Sequence, residues 1–359
     1  MKIMIDINHP AHVHYFRNFI KIMMGRGHSF LVVARDKEMA HYLLDYYNIN
    51  YFPRGKGKDS LFGKILYMPY ADQCILHHSI KFKPDLFLSF GSPYAAQVSK
   101  LLNKPHIAFD DTENATLSRL LSKPFTDVIL NPSSFKKTFN YKHIKFDGFM
   151  ELCYLHPTYF KPDLSIINQL GIGPNTRYCI IRFVKWKAAH DIGHIGITPD
   201  NKEKIINEFS KHVKVFISSE SELPPKLRPY HLKIPYEKIH DVLYSSSLLF
   251  GESATMASEA AVLGTPAIYI DNVGRGYTDE EQEKYKLVFN FKENILDQEN
   301  AIRKGLDILQ SPNYDYQVNR SKLLNDKIDV TSFMVWFVEN YPKSKEIMRK
   351  NPDFQNTFK

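Results

Sequence analysis

Cysteine is scarce in this chain: Cys74, Cys153 and Cys179, odd in number and far apart. That spacing excludes a disulfide framework and offers no metal-binding pattern. No apolar run approaches the roughly 18 residues that a membrane-spanning helix needs. Met1-Lys2 leads straight into a strand-like run, so no secretory signal is expected and the chain is expected in the cytosol. Short-period repeats and low-complexity tracts are also missing. The 47 Lys and Arg against 39 Asp and Glu leave a net charge of +8, which favours an anionic partner. These basic residues are scattered and form no recognisable nucleic-acid module, so nucleic acid is not expected as a partner. Nucleotide diphosphates and acidic lipid headgroups remain.

What the chain does have is alternation. Apolar runs that read as strands (Lys2–Ile7, Ser29–Ala34, Leu86–Phe90, His106–Phe109, Thr126–Leu130) alternate with helical periods over the first 150 residues. The segment His12–Met24 places Val13, Phe16, Phe19, Ile20 and Met23 on one side and stops at Gly25-Arg-Gly27. Residues 147–175 lose the period and collect His156-Pro157, Lys161-Pro162 and Gly171-Ile-Gly-Pro174, as a linker does. Alternation restarts at Tyr178–Phe183 and Lys214–Ser218. A chain of 359 residues, 43% hydrophobic and 24% charged, can bury two cores of ordinary size. The expected fold class is α/β: two Rossmann-like, doubly wound domains, 1–150 and 165–330, with a ligand cleft between them. Val330–Tyr341, carrying Phe333, Trp336 and Phe337, is expected as a helix within 331–345 that crosses back to the first domain, with a membrane-surface anchor as the alternative. Residues 346–359 are expected as a frayed polar tail.

Ser245–Asp271 carries the most chemistry. It reads as a strand (Leu248–Phe250), a turn of small residues (Gly251-Glu-Ser-Ala-Thr255), a helix (Met256–Leu263), a stop at Gly264 and a second strand (Pro266–Ile270). Small residues let a ligand approach the backbone, and the helix start aims free N–H groups and a positive dipole end at it, which suits a phosphate. Glu259 follows Thr255 by about one helical turn, within reach of a hydroxylated group beside that phosphate. A good N-cap in an ordinary βαβ unit is the plain alternative. The whole stretch resembles the nucleotide-sugar site of GT-B glycosyltransferases. The resemblance makes Gly251, Glu252, Ser253, Ala254 and Thr255 the turn that receives the diphosphate, and Glu259 the ribose ligand. It also places Arg275, in Asn272-Val-Gly-Arg-Gly-Tyr277, near the donor sugar.

Other candidates lie at the ends of predicted strands. Asn8-His-Pro-Ala-His-Val-His14 holds three histidines without the spacing of a zinc site; an imidazole there can take a proton from an attacking hydroxyl. Asp110-Asp-Thr-Glu113 is a base, a metal site or a helix cap. In Arg182-Phe-Val-Lys-Trp-Lys187, Arg182, Lys185 and Lys187 can neutralise a diphosphate. Arg54-Gly-Lys-Gly-Lys58 reads as a solvated basic loop, with an acceptor phosphate as the other reading.

His12-Val13 and Glu113-Asn-Ala115 resemble bacterial lipid-precursor N-acetylglucosaminyltransferases, though the Gly-Gly of that family's first loop is Pro10-Ala11 here. The combination of Asp6-x-x-His-Pro-Ala-His-Val-His14, Trp186-Lys-Ala-Ala-His-Asp191 and Gly251-Glu-x-x-Thr-Met-Ala-x-Glu-Ala-Ala261 resembles the GT-B-like family DUF354 over nearly the whole chain. The resemblance implies a metal-independent glycosyltransferase without a cofactor. Its donor substrate would be a nucleotide-diphosphate sugar, UDP foremost, and its acceptor a sugar or lipid-linked molecule in surface-polysaccharide or glycolipid synthesis, with peripheral association at the inner membrane face. His12, Asp110, Asp111 and Glu113 are then the catalytic candidates. Two alternatives stay open: a hydrolysing UDP-N-acetylglucosamine 2-epimerase, which shares the fold and the Glu-bearing helix, and a non-catalytic nucleotide-sugar-binding protein.

Overall fold

A computed structural model of the protein describes residues 1–58, 61–138, 142–184, 194–311 and 314–359, without the side chains of 61, 62, 64 and 65. The chain divides into two compact units. The first comprises Met1–Tyr154 and Lys327–Lys359, the second Leu155–Asp326.

Among the described residues the first unit is built on seven parallel strands: β1 (Lys2–Ile7), β2 (Ser29–Ala34), β3 (Phe52–Pro53), β4 (Leu86–Phe90), β5 (His106–Phe109), β6 (Val128–Pro132) and β7 (His143–Phe146). Their order is β3-β2-β1-β4-β5-β6-β7. Most of these strands are near-continuous apolar runs because helices cover both faces of a parallel sheet. Met4, Leu31, Val33, Ile75 and Phe87 form one such buried layer. The strand order reverses between β1 and β4, the position at which open α/β sheets bind ligands, beyond the carboxyl ends of the strands. The helix Pro10–Gly25 follows β1 directly, two residues earlier than the apolar period suggests, because the His9 side chain caps it and Pro10 fits its first turn.

Among the described residues the second unit has five parallel strands: β8 (Tyr178–Phe183), β9 (Lys214–Ser219), β10 (Leu248–Gly251), β11 (Ala267–Ile270) and β12 (Val288–Phe291). They run β12-β11-β10-β8-β9, so the order reverses between β10 and β8. Ile181, Phe209, Phe250, Ile268 and Leu309 belong to its core. The stretch read as a linker contains short helices at Leu152–Leu155 and Ile166–Gln169.

The carboxyl-terminal residues join the first unit. The helix Val330–Glu339 packs on Pro10–Gly25 within the first unit. Residues 346–359 are not a frayed tail: they continue the helix Lys343–Lys350 and the 3-10 turn Pro352–Phe358. The reason is aromatic. Phe354 stacks on Trp336 with ring centroids 4.6 Å apart, Phe358 lies 5.5 Å from the same ring, and the Asp329 amide donates to the Phe358 carbonyl at 2.8 Å. Two apolar anchors in a polar segment are enough to order it. Among the described residues no helix is long and apolar enough to cross a membrane.

Candidate functional site

In the second unit, Gly251 stands opposite Arg182 where β10 pairs with β8. A Cβ at 251 would sit 2.2 Å from the Arg182 carbonyl oxygen, so only glycine fits. The chain then turns through Glu252 into the helix Ala254–Leu263, one turn's edge earlier than the sequence suggests. Ser253 is the N-cap, its Oγ accepting from the Met256 amide at 3.3 Å. The amides of Ala254 and Thr255 find no acceptor among the described residues, and Ser253, Ala254 and Thr255 are all half-buried rather than sealed. Two open N–H groups at the start of a helix, beside the reversal of strand order, are ready for an anion. The helix ends at Gly264, whose φ of 84° is the left-handed conformation that glycine supplies.

Glu259, one turn into this helix, is buried and accepts from His240 Nε2 at 2.9 Å. His240, on the helix Ile239–Ser245, was not singled out from the sequence; a histidine ahead of an apolar strand gives no sign of its partner 19 residues away. Arg182 hydrogen-bonds Ser218 Oγ at 2.9 Å and pairs with Glu220. Arg275 is the N-cap of the helix Gly276–Glu283 and is half-buried. The ends of β8, β10 and β11 thus bring Arg182, Gly251, Ser253, Ala254, Thr255 and Arg275 to one edge of the sheet. Lys185 and Lys187, with Trp186 to Asp191, lie outside the described residues.

Glu252 has a different task from the one expected. Its two oxygens accept from the Val184 amide at 2.9 Å and the Ile197 amide at 2.6 Å, fully buried. Glu293 accepts from the amides of Ile195 and Gly196 through Oε2, at 2.6 and 2.8 Å, and pairs with His194 through Oε1. His194, Asp271 and Glu293 have ligand atoms within 4.8 Å of one another, as a metal site would. Both carboxylates are already occupied, however: Asp271 accepts from the Tyr269 hydroxyl at 2.6 Å and from the amides of Val273 and Gly274. The cluster fastens loop ends.

In the first unit, His12 follows β1, while Asp110, Asp111 and Glu113 follow β5, with β4 between them. All four are buried. Asp110 accepts from Arg119 Nε and the Thr112 amide, each at 3.0 Å; burial pushes its carboxyl up against the pull of Arg119. Asp111 accepts from the Thr112 hydroxyl at 2.9 Å. The Glu113 carboxylate accepts from the Lys136 amide at 3.4 Å, and its carbonyl from Lys137 Nζ at 2.8 Å. The helix that follows, Thr116–Ser122, is capped by Ala115 with no side-chain bond, so neither Asp111 nor Thr112 caps it.

Arg54 overturns the reading of a solvated basic loop. It is fully buried and donates through Nε to Asp6 Oδ1 at 2.9 Å and through a terminal nitrogen to the Tyr67 hydroxyl at 2.9 Å. Ser92 Oγ donates to Asp6 Oδ2 at 2.5 Å, and Asn8 Nδ2 at 3.0 Å. The signal was Asp6 itself, a carboxylate inside the run Ile3-Met-Ile-Asp-Ile7, which cannot be buried without a cation. Asp72, on the helix Leu61–Phe82, is pushed up to about 7 by burial and then by the charge of Asp6, against Arg54.

A family model described as a protein of unknown function, DUF354, matches residues 1–313. An uncharacterized protein of Methanocaldococcus jannaschii is 28% identical over 280 residues, covering 75% of this chain and 81% of that protein. The UDP-GlcNAc 2-epimerase of Neisseria meningitidis, solved bound to UDP-GlcNAc, is similar with a TM-score of 0.65 at 15% identity, over 94% of this chain and 99% of that one. The spinosyn forosaminyltransferase is similar with a TM-score of 0.63 at 12% identity, over 96% and 99%. These likenesses are of fold: two parallel sheets flanked by helices, in the manner of the GT-B glycosyltransferases and epimerases. With the family model covering all but the last 46 of its 359 residues, the chain belongs to the DUF354 family.

Proposed function

We propose that this protein is a metal-independent GT-B glycosyltransferase that uses a nucleotide-diphosphate sugar, UDP-sugars first, in surface-polysaccharide or glycolipid synthesis. The observation that carries the reading is the start of the helix Ala254–Leu263, where the half-buried Ala254 and Thr255 amides have no acceptor among the described residues while Ser253 already closes the cap. Diphosphate oxygens would supply those acceptors. Glu259 would take the ribose hydroxyls, its carboxylate set by His240. Arg182, Lys185 and Arg275 would neutralise the phosphates, and the helix dipole would stabilise the leaving diphosphate as the glycosidic bond breaks. A proton from the acceptor hydroxyl would pass to a group of the first unit, among His12, Asp110, Asp111 and Glu113. The acceptor would be a sugar or lipid-linked molecule, and the net positive charge suits work in the cytoplasm at the inner membrane face.

A thermal-shift panel of nucleotides and nucleotide sugars tests the site. A ligand at about 100 times its Kd stabilises the native state by roughly 2.7 kcal/mol. The expected result is a shift with UDP or a UDP-sugar that Glu259→Ala abolishes; no shift with any nucleotide sinks the reading. The similarity to UDP-GlcNAc 2-epimerases favours a second reading, in which UDP is released from donor alone with an epimerised sugar. Incubation with and without acceptor separates the two reactions, and binding without turnover in either would leave a nucleotide-sugar-binding protein.

A further inference from the structure

His12 is the residue of the first unit whose chemistry the geometry constrains most tightly. The Asn8 backbone N–H donates to His12 Nδ1 at 3.3 Å, and the Ala11 N–H donates to His9 Nδ1 at 3.2 Å. A main-chain amide can only donate. His12 Nδ1 is therefore bare, and in the neutral ring the single proton sits on Nε2. The side chain is 9% exposed, its ring 4.8 Å from Phe90 and 6.1 Å from Tyr15. Its Nε2 has no hydrogen-bond partner among the described residues. Burial first, then the positive charge of His9, Lys37 and Arg54, holds the imidazole well below the usual histidine range, so it stays neutral near pH 7. The helix Pro10–Gly25 begins here and adds the positive end of its dipole.

We propose that His12 acts as a neutral hydrogen-bond donor, through Nε2, to an oxygen of the bound substrate, and is not the base that takes the acceptor's proton. The identity of that substrate rests on the nucleotide-sugar reading; the state of the ring does not. A base must turn a lone pair toward its substrate, and the lone pair of this ring is turned to the Asn8 amide. A donor at a helix start, in positive surroundings, complements an oxygen that gains negative charge in the transition state. No proton is gained or lost by His12 in this role. The acceptor's proton goes to a carboxylate, Asp111 or Glu113, since Asp110 is committed to Arg119.

Long-range proton–nitrogen correlation spectra of the labelled full chain at pH 7 read the tautomer directly, with His12 assigned by its loss in His12→Gln. The expected spectrum has a protonated Nε2 and a bare Nδ1, unchanged on lowering the pH to about 6. A proton on Nδ1, or a doubly protonated ring at pH 7, overturns the proposal. This measurement needs no substrate, so failure of the nucleotide-sugar reading leaves it intact. In the nucleotide-release assay, His12→Gln can donate but cannot act as a base and is expected within about tenfold of wild type, whereas His12→Phe loses about 100-fold or more. Equal losses in two folded variants also overturn it.

Discussion

Gly251 and Arg182 face each other across paired strands so closely that a methyl group on residue 251 would penetrate the Arg182 carbonyl, at 2.2 Å. Backbone on the other side of that contact cannot give way without moving the turn that leads to Ser253. Gly251→Ala is therefore expected to cost about 1–3 kcal/mol and to weaken nucleotide binding beyond that loss. Urea unfolding and a UDP titration of the variant check both; wild-type stability would show that the two strands can part.

The His240–Glu259 pair separates a structural role from a binding role. Glu259→Gln keeps an oxygen that can accept from His240 at the same 2.9 Å contact, so its melting temperature is expected near wild type while its affinity for UDP falls about tenfold or more. Glu259→Ala leaves His240 buried without that acceptor and loses stability as well, by about 1–3 kcal/mol. If both variants bind UDP as wild type does, Glu259 is a packing residue.

Arg54 and Asp6 are buried together. Removing one charge strands the other, so Arg54→Met is expected to cost about 3–5 kcal/mol, and the double variant Asp6→Leu with Arg54→Met less than the sum of the singles. A chemical-denaturation double-mutant cycle measures the difference, and strict additivity would show the pair to be independent.

Buried His106 and half-buried His143, both neutral in the fold, set the acid limit. His106 lies between Ser89 Oγ at 2.9 Å and Thr126 Oγ1 at 3.0 Å, and burial lowers it to about 3; His143 is lowered to about 4 by burial and then Lys145. A folded value below the unfolded one means that the unfolded chain takes the proton first. This contribution is therefore complete above about pH 6.5 and is lost progressively as the pH falls from there toward 3, with His106 alone accounting for about 5 kcal/mol. Unfolding free energies across this range should fall less steeply in His106→Gln; parallel curves would remove His106 from the account.

The parts of this architecture that were legible in the sequence are those set by neighbours in the chain. The strands announced themselves because both faces of a parallel sheet are covered, so that Ile3 to Ile5 and Leu248 to Phe250 are apolar throughout. The Gly251–Thr255 turn was legible for the same reason, as a change of residue size between a strand and a helix. What stayed hidden depends on distance. Arg54 sits among lysines and glycines, the surroundings of a solvated loop, and its partner is 48 residues away. Glu252 looked like part of a ligand turn, yet it holds amides 68 and 55 residues distant. Phe354 and Phe358 are too few to give a helical period and matter only because Trp336 offers them a face.

The first unit closes with residues 327–359, which the ribosome delivers only after the entire second unit. During synthesis the helix Pro10–Gly25, which also packs on β1 and β2, must wait for Val330 to Val338 before its apolar surface is fully covered. The second unit, one uninterrupted segment, can mature in the meantime. A chain grown to residue 326 therefore presents a finished second unit and a first unit that still lacks residues 327–359. Its exposure to chaperones and proteases should track the arrival of the last 33 residues rather than the first 154.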